Sequence, residues 1–266
     1  MYKLTRPDGF DFYSGTINYR ENIGKIIRVK DFDPKKVGPC GKGLHASKKP
    51  LNCFVGAKIP CAAFKVKGIQ PIAKDEKKTR YQALKILEEI KDLNVLFEFN
   101  YSEAINPINP FKMIPPKITN TQIELLKKWD SVRGSVRDLV WGSVRGSVWN
   151  SVRDSIWDSV GDSVGHSVWD SVRHSVRHSV RDSVRDSIRG SVRDLVWDSV
   201  WDSFYSYIGS LFPSIEKWKY INHEKGNYPF QSTIDLWKMG LAPSFDGTTW
   251  RLHGYEDARI LWKGKI

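Results

Sequence analysis

The sequence predicts a mixed fold. Residues 1–115 read as an α/β or α+β domain, and behind it a tetrapeptide-repeat β-solenoid is expected, closed by helical and aromatic caps. Three observations carry this expectation. The stretch Trp129–Phe204 divides into tetrapeptides without a gap. Each of the four columns has its own restricted chemistry. The flanking segments lack that period and show the uneven spacing of ordinary globular chain. The expected organisation is 1–115 for the first domain, 116–128 for a linker and cap helix, 129–204 for the repeat, and 205–266 for a C-terminal cap and hairpin.

In the first domain, Lys25–Val29, Gly43–Ala46 and Ala62–Val66 are strand-like. Pro50–Gly56 reads as a short helix. Gln82–Ile90 carries Leu84, Leu87 and Ile90 at helical spacing, although LKILEEI also reads as a strand. The proline-rich tract Asn106–Lys117 ends the domain. Next, Thr119 with Gln122 three residues on forms a capping-box pattern, and Ile123, Leu125, Leu126 and Trp129 make one apolar side of a cap helix.

Within the repeat, column one is Arg or Trp, except Gly161 and Gly165. Column two accepts Asp, Gly, His and Asn. Column three is Ser except Leu139 and Leu195. Column four is Val, with Ile156, Ile188 and Phe204 as variants. A continuous α-helix turns about 100° per residue, so a four-residue period drifts about 40° per repeat and spreads the Val row around the whole helix. A flat strand places columns two and four on one face, and so buries Asp beside Val. Both readings fail over the whole array. Column two holds the residues that best tolerate turn conformations. A chain bending at each of them, with Val inside and coils stacked about 4.8 Å apart, gives a β-solenoid of three or four sides per coil. A helical-hairpin array is the alternative.

On such a rod Trp141, Trp149, Trp157, Trp169, Trp197 and Trp201, with Arg145, Arg153 and Arg173, form an outward strip suited to a protein partner, since Trp and Arg dominate interface energetics. His166, His174 and His178 stand in the turn column and read as turn residues. Beyond the array, Tyr205, Tyr207, Ile208, Leu211, Phe212 and Trp218 suit a cap, or a contact between copies of the chain. Ser232–Met239 reads as a helix, and TTWRLHG with ARILWKG as a hairpin.

The net charge is +12, and residues 1–128 hold almost all of it, with 24 basic and 13 acidic side chains. Nucleic-acid binding by the first domain is therefore a competing expectation. No apolar run approaches the roughly 18 residues of a membrane span, and the opening MYKLTRPDGFDFYSG lacks a leader's apolar core. The expected location is the cytoplasm. Cys40, Cys53 and Cys61 make an odd count, and their spacing with His45 matches no zinc pattern, so no disulfide, metal or cofactor is expected.

Lys42–Phe54 (KGLHASKKPLNCF), Tyr101–Pro110 (YSEAINPINP), the SVWD/SVRD array and Leu236–Gly254 together resemble a family of uncharacterised bacterial and phage proteins. The resemblance spans nearly the whole chain and implies a class without a mechanism. The array is also similar to pentapeptide-repeat proteins, with a period of four in place of five. The run Gly43–Ser47, with His45, is similar to an NAD-binding strand of ADP-ribosyltransferases. That resemblance implies an enzyme in residues 1–115, with His45, Arg6 and Tyr13 as the residues to test. The leading expectation is a non-enzymatic structural or interaction protein.

Overall fold

The computed structural model describes residues 1–34, 41–144, 146–177, 185–218 and 221–266. It is a mixed α+β chain with two antiparallel sheets, dividing into two compact units: residues 1–105 with 146–155, and residues 106–145 with 156–266.

The first unit is a five-stranded sheet of β1 (Tyr2–Thr5), β2 (Ile26–Arg28), β3 (Leu44–Ala46), β4 (Ala62–Lys74) and β5 (Thr79–Ile90). The order is β1-β4-β5-β2, and β3 also pairs with β5. The long β4–β5 hairpin is its spine. Asp75 closes the turn by accepting the amides of Lys77 (2.8 Å) and Lys78 (2.6 Å). The ambiguous LKILEEI run is strand, because Leu84 and Ile86 are buried while Lys85 and Leu87 face water, a period of two. Tyr19, Leu44, Phe64, Val66, Leu84 and Ile86 form the core. Pro50–Val55 is a 3-10 turn, followed after β5 by the short helices α1 (Leu93–Phe97) and α2 (Tyr101–Ile105). Phe54, Phe97, Phe99 and Tyr101 pack there as a second aromatic cluster.

The expected β-solenoid is absent: the described part of the repeat is helical. It runs through α3 (Asn120–Val132), a 3-10 turn at Arg133–Ser135, α4 (Val136–Ser143), α5 (Gly146–Ile156), a π-helical turn at Trp157–Gly161, α6 (Asp162–Arg177) and α7 (Arg185–Ser210). The reason lies in single helices rather than in the array. Columns two and four are two residues apart, which is roughly 200° on a helix, so Asp and Val take opposite faces. Val136, Val140, Val144, Val148, Val152, Ile156, Val160, Val164, Val168, Val172, Val196, Val200 and Phe204 are all buried, while column two is exposed from Asp130 to Asp198 wherever it is described. The drift that disfavours one long helix is absorbed by interruption. Val196, Val200, Phe204 and Ile208 of α7 drift roughly 120° in total, about the width of one apolar face. Elsewhere the 3-10 turn, the break at Val144 and the wider π turn reset the register.

Serine fits the third column because its hydroxyl bonds back to the carbonyl three or four residues earlier, as in Ser163 to Val160 (3.0 Å), Ser199 to Val196 (2.8 Å) and Ser203 to Ser199 (3.2 Å). A buried or half-buried polar side chain is thereby satisfied within its own helix. In the first unit the Ser151 and Ser155 hydroxyls instead reach the carbonyls of Ala57 (3.3 Å) and Ala104 (3.1 Å).

The second unit packs α3, α4, α6 and α7 with α8 (Gln231–Lys238) and a sheet β6-β7-β8 formed by Ala242–Phe245, Trp250–Gly254 and Arg259–Gly264. The Thr119–Gln122 capping box starts α3. Trp129 meets Phe230 edge-on, and Tyr207 stacks on Trp237 at 5.3 Å. Tyr207, Ile208, Leu211, Phe212 and Trp218 are buried, so the aromatic segment after the repeat closes the interior of this unit.

Candidate functional site

Among the described residues, most of the indoles expected in the outward Trp/Arg strip enter the packing instead, because column one lies beside the buried column-four face. Trp149 is buried. Trp157 and Trp201 stack face to face, with ring centroids 4.3 Å apart and planes within 4°, and Phe204 meets both edge-on at 5.3 Å. Trp197 packs against Gly165 and meets the His166 ring at 5.5 Å. Trp169 is half-buried, and only Trp141, 68% exposed on α4, is presented to water. Arg153 pairs with Asp154 (2.7 Å). Arg145 and His178, and the side chains of Arg173 and His174, lie outside what the structure describes.

The two glycines of column one now have a reason. Cβ atoms built on Gly161 and Gly165 would strike the rings of Trp157 and Trp197, with Phe204 at 2.9 Å in the first case. Glycine stands where an indole occupies the space of the expected Arg or Trp. Two Arg residues of the same column fasten α4 and the preceding turn to α7. Arg137 donates to Asp202 (2.8 Å) and Asp198 (2.9 Å), and Arg133 approaches Asp202 at 3.7 Å. The Arg133 guanidinium also lies over Phe245 and Trp250 at 4.8 and 5.2 Å.

The residues suggested for an NAD site are not gathered by any described contact. His45 is half-buried on β3, directly opposite Arg80 of β5. Arg80 is enclosed and pairs with Asp33 at 3.5 Å, so this end of the sheet is knit by ionic and polar contacts. Tyr13 is fully exposed. Arg6 lines a cleft of about 450 Å³ with Pro7, Asp8, Phe12, Lys58 and Pro60, a set that includes neither His45 nor Tyr13.

Reading the sequence missed one polar constellation. Ser244 of β6 and His253 of β7 are fully enclosed, with Ser244 Oγ 2.8 Å from His253 Nε2. His253 Nδ1 lies 2.9 Å from the Ala258 carbonyl, which can only accept, so Nδ1 donates there and Nε2 accepts the serine proton. The arrangement has the parts of a nucleophile–base pair, yet both groups are sealed from solvent and join neighbouring strands. Burial is the main influence on His253 and pushes its pKa down to about 4. Among the described residues no three His, Cys, Asp or Glu side chains converge as metal ligands. No described helix is long and apolar enough to cross a membrane.

No family model, curated protein or solved structure matches the chain. The geometry therefore carries the functional argument alone.

Proposed function

We propose that this chain is a non-enzymatic interaction protein of the cytoplasm, in which the repeat helices supply the framework and α4 presents the contact. One observation supports the reading above others. Column-one indoles elsewhere in the described repeat are buried or half-buried, whereas Trp141 stands 68% exposed on a helix held by the Arg137 ion pairs. An anchored helix offering an indole is the kind of feature that contributes most at protein interfaces.

The test uses the photo-crosslinking residue benzoylphenylalanine at position 141, expressed in the protein's own host and irradiated. One discrete protein adduct is expected, suppressed by excess wild-type chain but not by Trp141→Ala. The reading is lost if the same adduct forms from exposed position 158, or if Trp141→Ala competes as well as wild type.

A further inference from the structure

We infer that the first unit carries a binding site for a small phosphate ester bearing a flat ring, in the cleft lined by Arg6, Pro7, Asp8, Phe12, Lys58 and Pro60. This goes beyond the interaction surface proposed on α4, and concerns the other compact unit.

The chemistry of the lining divides into two halves. Arg6 and Lys58 supply two cations, and neither forms an ion pair among the described residues. Two basic residues lining one cleft match a phosphate monoester dianion, arginine by its planar fork and lysine as a compact charge. Phe12, Pro7 and Pro60 supply flat apolar surface for a ring. Asp8 is the one acid. One of its oxygens accepts the Phe10 amide at 3.0 Å, which ties the carboxylate to its own turn. The volume of about 450 Å³ falls in the ordinary range for small-molecule sites.

The cleft is also organised before any ligand arrives. The Asp11 carboxylate accepts the amides of Tyr13 (3.0 Å), Ser14 (2.6 Å), Thr16 (3.2 Å) and Ile17 (3.2 Å), and the Ser14 hydroxyl (2.8 Å). That set of bonds fixes the loop carrying Phe12. Backbone bonds from Arg6 to the Phe10 carbonyl (2.8 Å) and from Gly9 to the Arg6 carbonyl (3.0 Å) fix the other wall. The Arg6 guanidinium lies against Gly15, whose φ of 66° and missing Cβ leave it that space. Holding a side chain in place beforehand reduces the ordering cost of binding.

The experiment titrates the full chain with phenyl phosphate, inorganic phosphate and benzyl alcohol, followed by ligand-observed NMR and calorimetry. Phenyl phosphate is expected to bind saturably and more tightly than either fragment. Arg6→Gln and Lys58→Gln are each expected to weaken it by about tenfold, the loss typical of one charge-assisted hydrogen bond. Phe12→Leu is expected to weaken phenyl phosphate while leaving inorganic phosphate unchanged. The inference is overturned if phenyl phosphate shows no saturable binding, if both charge variants bind it as wild type does, or if benzyl alcohol binds equally well. The crosslinking result at Trp141 is independent of all three outcomes.

Discussion

Replacing Gly165 by alanine sets two physical effects against each other with opposite signs. In a helix interior Gly→Ala stabilises by roughly 1 kcal/mol through propensity alone. At Gly165, however, the new methyl meets the Trp197 ring, with Cη2 at 2.8 Å and another ring carbon nearer still. An indole is rigid and cannot yield by bending one bond, so the helices must separate or the ring must leave its place. Overpacking of this kind costs roughly 1–3 kcal/mol. The expected outcome is a net destabilisation of about 1 kcal/mol. Gly165→Arg, which restores the commonest residue of the column, should cost more. Gly142 is the internal control: it lies in α4, is exposed, and a Cβ there meets nothing within 4 Å. Gly142→Ala should therefore be neutral or stabilising by up to about 1 kcal/mol. Urea unfolding followed by far-UV circular dichroism measures each variant. Repeating Gly165→Ala in a Trp197→Leu background should remove the penalty. If Gly165→Ala stabilises as Gly142→Ala does, Trp197 does not occupy that space and the explanation of the column-one glycines is wrong.

Other predictions follow from the same packing. Ser199→Ala removes the hydroxyl that accepts the Phe245 amide at 2.9 Å, and should cost about 1–3 kcal/mol in denaturant unfolding by stranding that donor. His253 stays neutral in the fold down to about pH 4, whereas the unfolded imidazole protonates near 6.5. The unfolded chain thus binds more protons between these values, so the stability contribution is complete above 6.5 and lost as pH falls toward 4. The total is about 3 kcal/mol, and His253→Gln should lack that slope in urea midpoints across the window. For Asp11, burial opposes ionisation, but the hydrogen bonds from Ser14, Ile17 and Gly15 outweigh it and hold the carboxyl at about 2 against an ordinary 3.8. Its contribution is present above 3.8 and lost as pH falls through about 2, so the advantage of wild type over Asp11→Asn in thermal unfolding should shrink across that interval. Trp149→Ala should cost about 3–5 kcal/mol in denaturant unfolding, whereas Trp141→Ala should leave stability unchanged, because only the first indole is buried.

Local chemistry alone foretold several elements of the chain. The Thr119–Gln122 capping box starts a helix because its donors and acceptors lie within one turn. The strand expected at Lys25–Val29 runs over Ile26–Arg28, and the hairpin expected from TTWRLHG and ARILWKG is β7–β8. Gln82–Ile90 was ambiguous because its apolar residues fit both periods, and burial of Ile86 with exposure of Leu87 decides for strand. The residues of the Arg6–Lys58 cleft lie far apart in the chain, and nothing local announces that Phe12 and Pro60 line the same cleft. Likewise Ser244 and His253 become partners only through the register of β6 on β7.

The sequence by itself separated column four from column two: among the described residues the fourth column is buried from Val136 onward and the second is exposed from Asp130 to Asp198, although Asp202 is buried and the indoles of column one, read as outward, are mostly buried or half-buried. Whether the chain satisfies that separation by bending into coils or by winding into short helices was decided only in three dimensions. A four-residue period matches no regular secondary structure over its full length, so the outcome depends on where the winding is interrupted and on what each indole finds across the gap. Those are contacts between distant residues, such as Trp157 with Trp201 and Gly165 with Trp197, and a repeating pattern carries no record of which copies will meet.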